Sequence, residues 1–264
     1  MVFLKDRSFG GFLMAINFKQ RLNQKETLIG IVIILPCSET AEVLSKLEFD
    51  WFWIDMEHGP LSLEKVQLIM QATGGRCANL VRAPWNDSVW IKRVLDTGCD
   101  GIILPQVKTP QEVKYAIDAC LYPPLGSRSI GTARAQNYGM SFPEYLKTAN
   151  ENIVIILQVE HIDAVKNIES IIDVPGFDAI LIGPFDLSGS MGLPGQIHHP
   201  DVQKAIGSVK EACLKKNIPV GIFTTNSQDA LSAKEAGYSL IGVGVDSMYL
   251  WKSAKQTLEE INSI

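Results

Sequence analysis

Eight short apolar segments, separated by stretches with helical periodicity, constrain the fold of this 264-residue chain more than any other feature. Each segment is apolar at nearly every position rather than at alternate ones, as expected for strands that are buried on both faces. The segments span residues 29–35, 51–55, 78–82, 101–105, 153–160, 178–184, 219–223 and 239–246. The clearest helical patterns between them span 62–72, 87–98, 109–120 and 227–237, and several open with a capping Ser, Thr or Asp.

Eight strands that alternate with helices predict an α/β protein with a (β/α)₈ TIM-barrel fold. A doubly wound open sheet is the alternative, but it would prefer fewer strands and a Gly-rich turn after the first one. We expect one barrel domain over residues 16–264 and a loose extension over 1–15, because a helical pattern begins near Ile16. The connection 121–152 is unusually long, and loops of that length are often functional.

Composition narrows the class of protein. The net charge of −5 argues against a nucleic-acid or anionic-membrane partner, since both favour a basic face. No run of 18 apolar residues predicts a transmembrane helix, and the first residues do not resemble a signal peptide. The five cysteines are odd in number and form no C-x-x-C pair, which favours a reducing, cytoplasmic location over a disulfide framework or a structural zinc site.

Polar side chains follow most of the predicted strands at the point where each strand ends. In chain order these residues are Asp55, Glu57 and His58; Arg82; Pro105 and Gln106; Gln158 and Glu160; Gly183, Pro184, Phe185 and Asp186; and Asp246. The active site of a barrel of this kind lies at the carboxyl ends of the strands. We therefore expect these side chains to converge on one rim.

Glu160 and Asp186 form the most informative pair, because they follow consecutive strands. Two carboxylates in one dry pocket repel each other unless a proton or a cation lies between them. Hard oxygen ligands with no nearby cysteine suit Mg²⁺ or Mn²⁺. The alternative is that the two carboxylates are solvated or cap helices.

His58 is the candidate general base, because histidine titrates near neutrality, and Asp55 could orient its ring. Arg82 would place a fixed cation at the same mouth, suited to a carboxylate or an enolate oxygen, unless it only pairs with a site carboxylate. The turn at residues 183–186 presents backbone N–H groups where a helix begins, which suits a small carboxylate. A histidine that merely caps the next helix is the alternative for His58.

Five ordered motifs within residues 16–250 together resemble the HpcH/HpaI family of class II, metal-dependent pyruvate aldolases. The motifs span residues 49–62, 81–107, 122–131, 156–192 and 242–246. The family includes hydroxy-heptenedioate and 2-keto-3-deoxy sugar acid aldolases. The resemblance implies metal ligation by Glu160 and Asp186, with Co²⁺ a further candidate ion, and it implies His58 as the acid–base residue, supported by Asp55 and Asp96.

The same resemblance implies that Arg82 holds the pyruvyl oxygen and that Gln158 lies beside the metal waters. It also implies a homohexamer with exchanged C-terminal helices, for which the amphipathic segment 247–264 is suited. Two positions depart from the family pattern: Phe185 stands where a small residue is usual, and Val32 where many members have a tryptophan. Both leave the metal chemistry intact and affect the fit of the aldehyde.

The expected reaction is reversible retro-aldol cleavage of a 4-hydroxy-2-oxo acid to pyruvate and an aldehyde. Arg128 and Arg134, in the long connection, could reach the far end of an acidic substrate, or could be solvated loop charges. A Schiff-base aldolase would need a desolvated lysine inside the barrel, and Lys108 is the nearest candidate. Two further functions compatible with the fold are a lyase for acyl-CoA esters and a barrel that binds a keto acid without turnover.

Overall fold

A computed structural model describes residues 12–263 of the chain, and these form a closed barrel of eight parallel strands in sequential order. The strands are β1 (Leu28–Ile33), β2 (Trp51–Asp55), β3 (Ala78–Arg82), β4 (Gly101–Leu104), β5 (Val154–Val159), β6 (Ala179–Ile182), β7 (Val220–Thr224) and β8 (Leu240–Val245). Each predicted apolar segment overlaps one strand. The predicted (β/α)₈ TIM barrel is confirmed.

Helices surround the barrel and connect its strands. They are α1 (Phe12–Asn23), α2 (Ser38–Leu44), α3 (Leu63–Thr73), α4 (Ser88–Asp96), α5 (Pro110–Cys120), α6 (Phe142–Asn152), α7 (Ile162–Lys166), α8 (Ile168–Ile171), α9 (Pro184–Ser190), α10 (Pro200–Lys215), α11 (Ser227–Glu235) and α12 (Asp246–Asn262). The expected extension over 1–15 falls largely on residues 1–11, which lie outside the described part of the chain. Across residues 12–263, we find no helix with the length and apolar character needed to cross a bilayer.

Side chains alternate along each strand between the barrel interior and the helix layer. Along β2, Trp51 and Trp53 belong to the interior cluster, whereas Phe52 and Ile54 belong to the larger cluster between strands and helices. This period of two is the geometric property of a β-strand. It explains why the strands are apolar at every position, since both of their faces are buried.

Helix α1 closes the amino-terminal end of the barrel. Its Phe18 and Leu22 join the interior cluster, and both side chains are buried. Its basic residues bind the ends of strands: Lys19 Nζ lies 3.1 Å from Asp178 Oδ1, and Arg21 Nη1 lies 2.8 Å from Asp50 Oδ1. The helix therefore seals the floor of the barrel with both apolar packing and ion pairs.

Three aspartates at this floor repeat one arrangement. Asp50, Asp100 and Asp178 each precede an even-numbered strand and use Oδ2 to accept the backbone N–H of a residue in the preceding odd-numbered strand, at 2.7–2.9 Å. Their own N–H groups donate to the carbonyls of those residues, at 2.8–3.0 Å. Each aspartate thus closes a two-bond ring that fixes the register of one strand pair.

The long connection 121–152 lies on the floor side rather than at the mouth. It follows α5, which runs back from the carboxyl end of β4, and it leads into the start of β5. It contains a short 3₁₀ segment (Arg134–Gly139) and helix α6. A connection from a helix to the next strand is on the opposite side of a barrel from the active-site loops. Of the two alternatives for Arg128 and Arg134, contact with the far end of the substrate is therefore not met within one chain.

Helix α12 leaves the barrel surface after its first turn. Asp246 anchors its start, since its carboxylate accepts the N–H groups of Ile34 and Leu35 at 3.2 and 3.0 Å. From Tyr249 to Ser263 every residue is exposed. The helix therefore presents an apolar stripe that the described chain does not cover.

Candidate active site

The polar residues of the site continue the inward-facing positions of the strands towards their carboxyl ends. On β2, Asp55 follows Trp51 and Trp53 at a spacing of two, and on β3, Arg82 follows Leu80 in the same way. The strand register places Asp55 beside Arg82. The barrel therefore changes from an apolar interior to a charged mouth within one layer of side chains.

Arg82 is the centre of this mouth. Its Nε and Nη2 donate to the two carboxylate oxygens of Asp55 at 2.9 and 2.6 Å, and Nη1 lies 2.9 Å from Glu57 Oε2. Nη1 also donates to Gln158 Oε1 at 3.4 Å, and the guanidinium carbon lies 4.9 Å from the centre of the Trp53 ring. Burial alone would lower the pKa of Arg82, but the bonds and charges of the carboxylates raise it.

Asp55 fixes the backbone before His58 rather than its ring. Its Oδ1 accepts the backbone N–H groups of Glu57 and His58 at 3.0 and 3.3 Å, in addition to its bonds with Arg82. The His58 ring points the other way, with Nε2 at 3.8 Å from Asp186 Oδ2. The expectation that Asp55 orients the imidazole is therefore wrong, because both of its oxygens are already engaged by Arg82.

Glu160 lies buried at the end of β5. Its Oε1 accepts the backbone N–H of Gln106 at 2.8 Å, and its Oε2 accepts from Gln158 Nε2. Burial, together with the nearby carboxylates of Glu57 and Asp186, raises the pKa of Glu160 to about 8. Gln106 adopts a φ of 57°, in the left-handed region that is rare for residues with a side chain, and such strain is concentrated at functional sites.

Glycine at position 183 keeps space open beside these groups. A Cβ at this position would lie 3.0 Å from both Gln158 Nε2 and Glu160 Oε2. Asp186 follows in the first turn of α9, with its side chain 47% exposed to the mouth. The Asp186 carboxylate is therefore accessible to solvent and to a ligand in the mouth. The Glu160 carboxylate, in contrast, is fixed by hydrogen bonds from Gln106 and Gln158.

The donor set fits a hard divalent cation. Within residues 12–263 no three His, Cys, Asp or Glu side chains form a ready-made metal cluster. Two carboxylates, Glu160 and Asp186, would hold an ion, and water and substrate oxygens would complete the octahedron that Mg²⁺ or Mn²⁺ prefers. Burial also raises the pKa of Glu57, although its Oε2 lies 2.9 Å from Arg82 Nη1. Arg82 is the one fixed cation among the carboxylates that line or adjoin the described cavity, which are those of Asp55, Glu57, Glu160 and Asp186. This excess of buried negative charge is what a bound cation would compensate.

A cavity of about 390 Å³ opens between these polar groups and an apolar wall. Its described lining consists of Val32, Ile34, Trp53, Asp55, His58, Arg82, Gln158, Gly183, Pro184, Phe185, Asp186, Phe223 and Val245. The volume suits a small metabolite. Most of the residues predicted for the site therefore surround one cavity, and buried Glu160 accepts a hydrogen bond from Gln158 in its lining.

Asp96 is the exception among the predicted site residues. It ends α4, whose C-terminus lies at the floor of the barrel, and its Oδ1 accepts from Arg128 Nη2 at 2.8 Å. Arg128 is buried, with its guanidinium 4.4 Å from the centre of the Tyr122 ring, and Arg134 donates to the carbonyl of Thr97 at 2.8 Å. Within one chain, Asp96 therefore does not support His58, and neither arginine faces the mouth.

Sequence reasoning leaves several site residues without a role. Glu57 and Gln106 stand among the strand ends. The spacing of two from Asp55 already predicts an inward position for Glu57, whereas Gln106 contributes to the site through its backbone N–H, which donates to Glu160. Trp53 and Phe223 fall within the predicted core, although the same period of two carries them to the base of the cavity. The periodicity that builds the core also extends into the site.

The HpcH/HpaI aldolase/citrate lyase family model matches residues 35–253. A 4-hydroxy-2-oxo-heptane-1,7-dioate aldolase of Escherichia coli is 37% identical over 245 residues, which cover 92% of this chain and 93% of that one. Among solved structures, an HpcH/HpaI aldolase/citrate lyase family protein of Burkholderia cenocepacia has 34% identity and a TM-score of 0.90, over 94% of this chain and 99% of that one. An HpcH/HpaI aldolase of Desulfitobacterium hafniense has 26% identity and a TM-score of 0.85, over 93% and 96% of the two chains. The chain belongs to the HpcH/HpaI aldolase/citrate lyase family.

Proposed function

We propose that this protein is a carbon–carbon lyase that reversibly cleaves a 4-hydroxy-2-oxo acid to pyruvate and an aldehyde with the aid of a divalent cation. The observation that carries the proposal is that Arg82, His58 and Asp186 line one cavity and that buried Glu160 bonds to Gln158 in the same lining. The family and the names of its aldolase relatives support the same reaction. The substrate named for the E. coli relative and 2-keto-3-deoxy sugar acids are the first compounds to assay.

Glu160 and Asp186 would hold the cation, which is Mg²⁺ or Mn²⁺ with Co²⁺ as a third candidate. Bound there, a divalent cation supplies Lewis-acid stabilisation to the oxygen of the developing enolate. Arg82 would add a fixed positive charge at the mouth, and Asp55 holds its guanidinium in one orientation. Gln158 is placed between Arg82 and Glu160, where its amide can bind substrate or a water.

His58 takes the proton in this proposal. Its ring is 60% exposed at the mouth, so it can reach the C4 hydroxyl of a bound substrate. As the C3–C4 bond breaks, the hydroxyl proton passes to His58 and C4 becomes the aldehyde carbon. The backbone N–H groups of Phe185 and Asp186, in the first turn of α9, are not used by the helix itself and can bind the substrate carboxylate.

The proposal extends to assembly and location. A homo-oligomer, a hexamer by resemblance, would cover the apolar stripe of α12. A reducing, cytoplasmic environment fits the five free cysteines, four of which are buried. The partners are then a small keto acid and an aldehyde, with neither nucleic acid nor membrane involved.

The decisive experiment is pyruvate release from a panel of 4-hydroxy-2-oxo acids, with and without Mg²⁺ or Mn²⁺. We expect turnover that EDTA abolishes and added metal restores. Glu160→Gln should lose bound metal and at least about a hundredfold in activity, while the exposed control Glu144→Gln should lose neither. Borohydride trapping of pyruvate on a lysine, or full metal affinity in Glu160→Gln, would contradict the proposal.

A further inference from the structure

The cavity at the mouth has two halves of opposite character. Its polar half comes from the ends of β2, β3 and β5 and from the turn after β6, and contains Asp55, Arg82, Gln158 and Asp186. Its apolar half comes from β7, β8 and β1, which are neighbours in the closed barrel, and contains Phe223, Val245, Val32 and Ile34. The order of strands therefore gives the cavity one continuous hydrophobic arc.

Aromatic rings continue this arc along the cavity. The Phe223 ring lies edge-on to Trp53, with 6.1 Å between their centres, and 6.2 Å from the ring of Phe185. Phe185 is 42% exposed although it lies against the cavity. A ring that is left exposed beside an apolar wall is available to a ligand, because covering it removes more apolar area from water.

Positive charge is confined to the polar half. Of the described residues that line the cavity, Arg82 is the one fixed cation, and Asp55 and Glu57 already surround its guanidinium. His58 lies next to Asp186, on the same side. A carboxylate that entered the apolar half would lose its water without gaining a counter-ion, and that exchange is unfavourable.

We infer that the aldehyde produced or consumed by this enzyme is apolar, a branched aliphatic or aromatic aldehyde whose side chain lies against Phe223, Val245, Val32 and Ile34. This inference rests on the proposed retro-aldol function and adds the substrate class. The electron pair of the C3–C4 bond stays on C3, which takes up a proton to give pyruvate. The C4 hydroxyl loses its proton to His58, and C4 leaves as the aldehyde, so no oxidant or reductant is needed.

The test measures kcat/KM in the direction of synthesis, with pyruvate and the metal-loaded enzyme. Succinic semialdehyde and 4-methylpentanal form a matched pair, since they differ by a terminal carboxylate in place of an isopropyl group. We expect 4-methylpentanal to be favoured by about tenfold or more, because two methyl-sized groups are buried in one case and a charge is desolvated in the other. Equal values, or a preference for succinic semialdehyde, would overturn the inference.

A charge placed in the apolar arc should reverse the preference. Val245→Arg brings a cation to the wall formed by β8, and we expect the ratio of the two kcat/KM values to shift at least about tenfold towards succinic semialdehyde. Val43→Arg, on the exposed face of α2, is the control and should leave the ratio unchanged. If Val245→Arg does not fold, the wild-type ratio still decides the matter.

Exchange of the pyruvate methyl protons with deuterated water separates this inference from the function on which it rests. Exchange together with a preference for apolar aldehydes supports both. Exchange together with a preference for the carboxylated aldehyde overturns the substrate class and leaves the aldolase function in place. Metal-loaded enzyme that neither exchanges these protons nor forms an aldol product would overturn both.

Discussion

At the scale of single residues, the site depends on the planar guanidinium of Arg82. It makes a forked contact with Asp55, lies beside Glu57 and stacks on Trp53. A forked, delocalised cation can satisfy several fixed acceptors at once, which an ammonium group cannot do. The role of Asp55 in this chain is therefore to position Arg82 rather than the imidazole of His58.

Arg82→Lys should show this directly. The lysine ammonium cannot bridge both oxygens of Asp55, so we expect kcat/KM to fall about a hundredfold or more, while the protein still binds metal. Steady-state kinetics and metal titration measure the two effects separately. The control is Arg76→Lys, which changes an exposed arginine that follows the end of α3. Activity of the Arg82 variant within threefold of wild type would show that the fork is not required.

His58→Ala should separate proton transfer from metal binding. We expect a loss of about 10²–10⁴-fold in kcat, because that is the usual contribution of a general base. Metal affinity should be retained, since Glu160 and Asp186 remain. A kcat close to that of wild type would assign the proton to another group.

Asp100 should make stability depend on pH. Burial raises the pKa of Asp100 to about 7, and the charge of Arg134 has the smallest opposing effect. The folded state therefore binds more protons than the unfolded state between about pH 4 and 7, so the free energy of unfolding falls as pH rises through this window, by up to about 1.4 kcal/mol per pH unit. Above pH 7 this contribution is constant.

Asp100→Asn removes this titration and keeps an acceptor for the Asn79 N–H. We expect the difference in the free energy of unfolding, variant minus wild type, to be larger at pH 8 than at pH 5. Urea unfolding at both pH values measures this difference. Glu144→Gln, on the exposed face of α6, should show no such difference. A difference between Asp100→Asn and wild type that is the same at both pH values would refute this explanation.

At the scale of strands and helices, what the sequence predicts is set by local periodicity. The eight apolar segments and the polar residues that end them gave the barrel and most of the mouth, because both follow from a spacing of two along a strand. An ion pair between Arg82 and a site carboxylate was one of the two alternatives, but the choice of Asp55 did not follow from the sequence, since it depends on the register between strands. The position of Asp96, Arg128 and Arg134 within one chain did not follow either, since the side of the barrel on which they lie depends on the direction of the helices that precede the next strands.

Substitution of Gly30 on β1 would measure how tightly the side chains pack inside the barrel. A Cβ at this position would lie 2.3 Å from Cε2 of Trp51, whose Nε1 donates to the carbonyl of Leu28 at 3.2 Å. The indole cannot move without losing that bond, so Gly30→Ala should cost about 1–3 kcal/mol of stability. Chemical denaturation measures the change.

Gly207 provides the matched control for this substitution. It lies within α10, and a Cβ there would meet nothing within 4 Å. Alanine is a better helix former than glycine, so Gly207→Ala should be neutral or stabilise the protein by about 0.4–1 kcal/mol. Equal destabilisation by the two variants would mean that the Trp51 contact is not the cause.

At the scale of the whole molecule, α12 is the feature that a single chain leaves incomplete. Leu250, Leu258 and Ile261 lie on one face of the helix at helical spacing, and each is more than 60% exposed. Burial of such a stripe favours association. Exchange of this helix between subunits is how we expect the proposed oligomer to form.

Replacing Leu258 and Ile261 together by glutamate should weaken that assembly. Charged side chains cannot be buried in an apolar interface without a large cost, so we expect a lower mass by light scattering at micromolar concentration. Glu259→Gln, which lies between the two positions, is the control. An unchanged mass would exclude α12 from the interface.

The hydrogen-bonded rings that Asp50, Asp100 and Asp178 close at the floor of the barrel also bear on how the fold evolved. They occur once in every two strands, at the pairs β1–β2, β3–β4 and β5–β6. In the fourth pair, Ser239 keeps the equivalent backbone bond to the carbonyl of Val220 without the carboxylate. Successive duplication of an ancestral two-strand unit would leave this spacing, with the ancestral acid lost from the last copy. Relatives whose acids fell on adjacent strands would speak against such a history.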